Sequence, residues 1–154
     1  MARIDFHSQV NNKILYCCRL MRKIMASPSA DLPMRNIVVV GPRDFLSEMD
    51  LQLWSFSATD FLPHAWGKDD FANETPIVFV ESFEAPELDV LPHGDVLIHV
   101  GVGFPQSVEK LAARFSRIVE VVSTHDVDRQ AGRERYKAYR DAGHELHNFD
   151  QTGQ

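Results

Sequence analysis

Hydrophobic positions in this chain change period several times, and each change marks an element. Residues 2–7 alternate, with Ile4 and Phe6 on one side and Arg3 and Asp5 on the other, which is the period of a strand. The period then lengthens. Ile14, Cys17, Cys18, Met21, Ile24 and Met25 recur at helical spacing up to Ala26. Lys13, Arg19, Arg22 and Lys23 fall largely off that face, and Asn11 or Asn12 caps the start. Residues 27–33 form a Ser/Pro-rich loop. Ile37-Val38-Val39-Val40 is apolar throughout, as a strand covered on both faces is, and stops at Gly41-Pro42, where proline suits the opening of a helix. That helix covers residues 43–56, with Phe45, Leu46, Met49, Leu53 and Trp54 as packing residues.

Residues 57–73 show no period and read as irregular; the aromatics there either seal the core edge or line a pocket. Asp69, Asp70 and Glu74 make a polar boundary. Further strands are expected at 76–80, 96–100 and 118–122, with a surface loop over 81–94 that holds Pro86 and Pro92. Helices are expected at 106–115 and from Asp126 to the stop at Gly143, followed by a short extended tail over 144–149. Strands alternating with helices predict an α/β fold, a three-layer α/β/α sandwich with a largely parallel central sheet. Residues 1–150 make one domain and 151–154 a tail.

The 154 residues are 44% hydrophobic and 25% charged, enough for a core of ordinary density. No apolar run approaches the ~20 residues of a membrane span, so no membrane partner is expected. Asp5 interrupts the first apolar residues, which does not suit a signal peptide. Cys17 and Cys18 are adjacent, which is no disulfide framework, and read as core. These features point to a cytoplasmic setting. The net charge of -6 argues against strong direct nucleic-acid binding.

Candidate chemistry is sparse. Gly41 and Gly101-Val102-Gly103 follow strands, but Gln106 stands where a dinucleotide turn needs its third glycine, and no phosphate-loop Gly-Lys-Ser/Thr occurs. No cofactor is expected. His144 and His147 lack the further ligands of a zinc site, so no metal is expected either. No nucleophile elbow or acid/base pair stands out, and the chain is not expected to be an enzyme.

The local exception to the acidic balance is Arg133-Glu134-Arg135-Tyr136-Lys137-Ala138-Tyr139-Arg140. On a helix, Arg129, Arg133 and Lys137 stack on one stripe, with Tyr136 beside them and Arg140 a turn below. Such a strip is either a solvated face paired with Glu134 and Asp141 or a receptor for something small, acidic and partly apolar.

That segment with Ala142-Gly143, the stretch from Phe115 to Val122 with Asp126, Leu53-Trp54 with Phe61-Leu62-Pro63-His64, Asp95-Val96-Leu97-Ile98 and Ile4-Asp5-Phe6-His7 together resemble the chi subunit family of bacterial DNA polymerase III. Residues 27–33 and 67–92 carry little of it. The resemblance implies a non-catalytic replisome adaptor with two partners. One is the acidic C-terminal tail of single-stranded-DNA-binding protein, which ends in Ile-Pro-Phe with a free carboxylate. The other is the psi subunit, which ties the protein to the clamp loader. It further implies a tail site at Trp54, Phe61, Val122, Arg129, Arg133, Tyr136 and Lys137, with Arg129 where the family pattern has a lysine. Arg133 would fork onto the carboxylate, and Arg129 and Lys137 would meet the preceding aspartates. Rival readings are a degenerate nucleotide-binding enzyme built on the glycine turns and a chi-like partner of a repair helicase.

Overall fold

Apolar strands flanked by amphipathic helices bury their surface only as layers, and the computed structural model, which describes residues 2–26, 35–55, 62–105 and 107–152, shows that arrangement. Seven strands form one sheet: β1 (Arg3–Val10), β2 (Ile37–Val40), β3 (His64–Trp66), β4 (Ile77–Val80), β5 (Val96–His99), β6 (Arg117–Ser123) and β7 (Leu146–Asp150). Their order is β3-β4-β2-β5-β6-β1-β7, and every pairing is parallel. The helices are α1 (Lys13–Ala26), α2 (Arg43–Ser55), α3 (Pro86–Val90), α4 (Val108–Arg114) and α5 (Asp126–Asp141).

Side chains alternate across each strand, so the two sheet faces carry separate cores. Val39, Phe79, Ile98 and Val121 pack with Cys17, Met21 and Leu46 of α1 and α2. Val38, Val78, Leu97 and Val122 pack with Leu88, Leu111 and Tyr139 of α3, α4 and α5. Every residue of β2, β4 and β5 is buried, which is why β2 and β4 read as unbroken apolar runs and β5 is apolar up to His99. The cysteines are buried core residues, and burial pushes the thiol of Cys17 up to about 12.

Local chemistry sets the helix ends. The Asn12 side chain accepts the Leu15 N–H at 3.1 Å, and Ser107 accepts that of Lys110 at 3.2 Å. At the C-terminus of α5, Gly143 adopts φ 87°, and the N–H groups of Gly143 and His144 close onto Arg140 O and Tyr139 O at 2.9 and 3.2 Å. This paired closure is a Schellman stop, and it turns the chain back to lay β7 along β1.

Two expectations need correction. Residues 57–73 are not irregular throughout, because 64–66 form the edge strand β3 and Ala72–Glu74 a 3-10 turn. Three residues are too few for a period to show. Residues 81–94 are not all loop either, since α3 starts at Pro86, where a missing N–H costs nothing.

Candidate functional site

Helix α5 buries Asp128, Gly132, Arg135 and Tyr139, whose spacing of four, three and four defines one face. Beneath it lies Glu120, fully buried in β6. Arg135 Nε donates to Glu120 Oε1 at 2.9 Å, His99 Nδ1 lies 2.7 Å from the same oxygen, and Tyr139 Oη donates to Oε2 at 3.0 Å. Burial alone would raise the carboxyl pKa. The charges of His99 and Arg135 and the hydrogen bonds from His99 and Tyr139 overcome it and hold Glu120 below the usual carboxylate range. Burial, then Glu120, pushes the Tyr139 phenol far up, so it stays a donor.

Gly132 decides how close α5 comes to the sheet. A Cβ there would lie 2.8 Å from Val122 Cγ2 and 3.1 Å from Cγ1, so no larger residue fits without displacing Val122.

That close approach forms the floor of a groove of about 330 Å³ between α5 and the outer strands β1 and β7. Phe6, Val122, Gly132 and Tyr136 make the apolar floor, with the Phe6 and Tyr136 rings edge to face at 5.1 Å and 68°. Arg129 and Arg133 line the helix side. Ser8, Gln9, Asn148 and Asp150 line the strand side. Gln9 has φ 58°, rare for a residue with a side chain, at the break in β1–β6 pairing between His7 and Val10. Arg129 holds Asp126 at 3.5 Å, whereas exposed Arg133 has no carboxylate partner among the described residues. The Asp150 carboxylate is engaged by the Thr152 N–H at 2.8 Å, and hydrogen bonding to Thr152 holds its pKa low. Chemically, the groove offers a ring-sized apolar slot beside a guanidinium fork, which suits an apolar group with an adjacent carboxylate.

Of the residues expected from sequence, Val122, Arg129, Arg133 and Tyr136 meet in this groove. Lys137 is exposed one turn beyond Arg133 and does not line it. Trp54 is elsewhere. It lies on α2, across the sheet, and its ring packs at a tilt against His64 of edge strand β3, 4.8 Å between ring centres. In strand order β3 is four positions from β6, roughly 19 Å at ~4.8 Å per strand. Phe61 lies outside the described residues. Sequence reasoning missed Phe6, Ser8, Gln9, Gly132, Asn148 and Asp150. Only Gly132 carried a local signal: a glycine inside a strong helix, costing roughly 0.5–1 kcal/mol against alanine, asks for a packing reason.

The glycine turns after β2 and β5 face each other. A Cβ on Gly41 would sit 2.4 Å from Val100 Cγ2, and one on Gly101 3.1 Å from Pro42 Cδ. These glycines serve close packing of the two turns. Among the described residues no three His, Cys, Asp or Glu side chains gather as metal ligands would, and no helix is long and apolar enough to cross a membrane.

Comparison with known proteins gives the groove its context. Residues 1–147 match the family model described as DNA polymerase III chi subunit, HolC. The DNA polymerase III subunit chi of Pseudomonas aeruginosa is 29% identical over 150 residues, covering 95% of this chain and 94% of that protein. The protein of the same name from Escherichia coli K12 is 31% identical over 98 residues, 64% of this chain and 61% of that protein. With nearly its whole length matched, the chain belongs to the DNA polymerase III chi subunit family, whose role is that of a replisome accessory subunit in DNA replication.

Proposed function

We propose that this chain is a non-catalytic, cytoplasmic adaptor that binds the acidic C-terminal tail of single-stranded-DNA-binding protein in the groove beneath α5. In this role it also pairs with the psi subunit and so links the clamp loader to coated single strands. The observation that carries the tail reading is the groove itself, where Phe6, Val122 and Tyr136 form an apolar floor directly beside Arg129 and Arg133. A terminal phenylalanine fills the slot, and its carboxylate pairs with Arg133, which has no carboxylate partner among the described residues. Arg129 and, further out, Lys137 meet the preceding aspartates, where exposed charges govern on-rate and salt dependence. Asp150 on the opposite wall repels acidic side chains and so favours a peptide lying against the helix.

Trp54 stands apart from this groove, so the proposed tail site comprises Val122, Arg129, Arg133 and Tyr136 with Lys137 at its rim.

The test is fluorescence anisotropy of a labelled peptide ending Asp-Asp-Ile-Pro-Phe, run beside the same peptide with an amidated C-terminus. Saturable binding in the roughly micromolar range, lost on amidation and weakened by salt, is the expected result. Failure of the free-acid peptide to bind at high protein concentration would overturn the reading.

A further inference from the structure

On the other side of the same outer strands lies a larger groove of about 690 Å³, under α1. Its lining carries five cations: Arg3 at the start of β1, Arg117 at the start of β6, Arg35 just before β2, and Arg19 and Lys23 one turn apart on α1. In a chain of net charge -6 this is a strong local departure. Asp5, fully buried beside them, takes Arg3 Nε and Arg117 Nε at 2.9 Å each. Among the described residues those contacts run through Nε alone, and each guanidinium has further N–H donors on its terminal nitrogens.

The floor is aromatic. His7 is only 7% exposed. Its Nδ1 pairs with the Tyr16 hydroxyl, while its Nε2 meets no partner among the described residues. Arg35 Nε is likewise buried and unpartnered among them. Phe149, 38% exposed, leans on His7 at 5.2 Å and leaves ring surface at the groove wall.

We infer that this groove binds nucleotide phosphates, either of a single strand or of a free nucleotide, with a base resting on Phe149. The lining is rich in donors and runs along β1 from Arg3 to His7, about 13 Å at ~3.3 Å per residue. A ligand matched to it presents anionic acceptors repeated along its length and a flat apolar face between them. A nucleotide chain does both, since phosphates neutralise the cations and bases stack on aromatic rings. A peptide of acidic residues alone supplies the charge but no flat face for Phe149. The net negative charge of the chain opposes the attraction, so binding is weak and strongly salt-sensitive.

The experiment uses the intact chain and a fluorescein-labelled oligothymidylate of about ten residues, followed by anisotropy between about 50 and 200 mM salt. Saturable binding is expected, falling roughly twentyfold across that range if about three phosphates are neutralised. The double variant Arg19→Glu/Lys23→Glu, on the exposed face of α1, is expected to lose about tenfold or more. Arg133→Ala, in the other groove, should leave oligomer binding unchanged. Competition by unlabelled thymidine triphosphate at similar concentration would assign the site to free nucleotides, and competition by unlabelled oligomer alone would assign it to a strand. The inference is overturned by absence of saturable binding, by loss in Arg133→Ala but not in the α1 double variant, or by displacement with an oligoglutamate as efficient as with the oligomer.

Discussion

Arg133 and Arg135 sit two residues apart on α5 and have opposite surroundings. Arg133 is exposed at the rim of the groove beneath α5, and Arg135 is fully buried against Glu120. The Arg135 terminal nitrogens meet no partner among the described residues, so its charge rests on the one carboxylate. Two identical side chains thus take two tasks. The inner one fixes the position of the helix, and in the proposed complex the outer one uses that position. A charge in a low-dielectric interior must be compensated or the fold suffers, whereas a charge in water can be removed with little effect on stability.

The sharpest way to break this comparison is Arg135→Ala. Removing one partner of a buried pair leaves the other uncompensated, and a loss of about 3–5 kcal/mol in denaturant unfolding is expected. A loss under about 1 kcal/mol would mean that Arg135 is no more structural than Arg133. Acid titration sharpens the same point. Glu120 has a lowered pKa in the folded state, so its contribution is present above the ordinary carboxylate range and is lost as pH falls through the folded value. His7 adds a second, earlier phase. Burial, with help from Arg117, lowers it from 6.5 to about 4, so the unfolded chain takes up its proton first and stability declines as pH falls across that interval. His7→Phe should flatten the early phase, by about 2 kcal/mol near about pH 5, and leave the later one.

Arg133→Ala is the outer counterpart. Unfolding free energy should stay within about 0.5 kcal/mol of the parent, because the side chain removed is exposed and has no carboxylate partner among the described residues. Affinity for the free-acid tail peptide should fall by about 2 kcal/mol, the scale of a lost charged hydrogen-bond partner. A near-neutral effect on binding would take Arg133 out of the centre of the site.

Much of the frame was legible because burial on two faces writes itself as composition. β2 and β4 are apolar runs, β5 and β6 are apolar apart from His99 and from Arg117, Glu120 and Ser123, and the face of α1 repeats at helical spacing. β3 and α3 were not, being three and five residues long, shorter than the window in which a period can be told from chance. The site divides along similar lines. The stripe of Arg129, Arg133 and Tyr136 follows from helical geometry alone. The opposite wall does not, because Asn148 and Asp150 reach the groove only through the parallel pairing of β7 on β1, a tertiary event with no local mark. Nor could sequence separate Arg133 from Arg135 by type. The separation comes from phase, with Arg135 three residues after Gly132 and four before Tyr139, on the buried face.

Gly132 ties the two regions together, and Gly132→Ala tests the tie. The added methyl improves helix propensity by roughly 0.5–1 kcal/mol but must push Val122 Cγ2, only 2.8 Å away. Overpacking costs about 1–3 kcal/mol, so a net loss of about 1 kcal/mol is expected together with weaker tail binding as the floor is disturbed. Unchanged affinity in a destabilised protein would show that the groove tolerates a lifted helix.

The smallest effect belongs to Lys137. It is on the same exposed stripe as Arg133 but one turn beyond the groove. In the proposed complex a lysine there acts on an aspartate across water, at a distance where 0.15 M salt, with its Debye length of about 8 Å, screens most of the attraction. Lys137→Ala should therefore weaken tail binding by under about 1 kcal/mol at low salt, mostly through the association rate, and by almost nothing at high salt. Arg133→Ala should keep most of its deficit at high salt, because a direct guanidinium–carboxylate pair at the groove edge is only partly screened. Parallel salt curves for the two variants would place both charges at the same depth. Converging curves for Lys137→Ala alone would show that one stripe of a helix holds an anchoring charge and a steering charge a single turn apart.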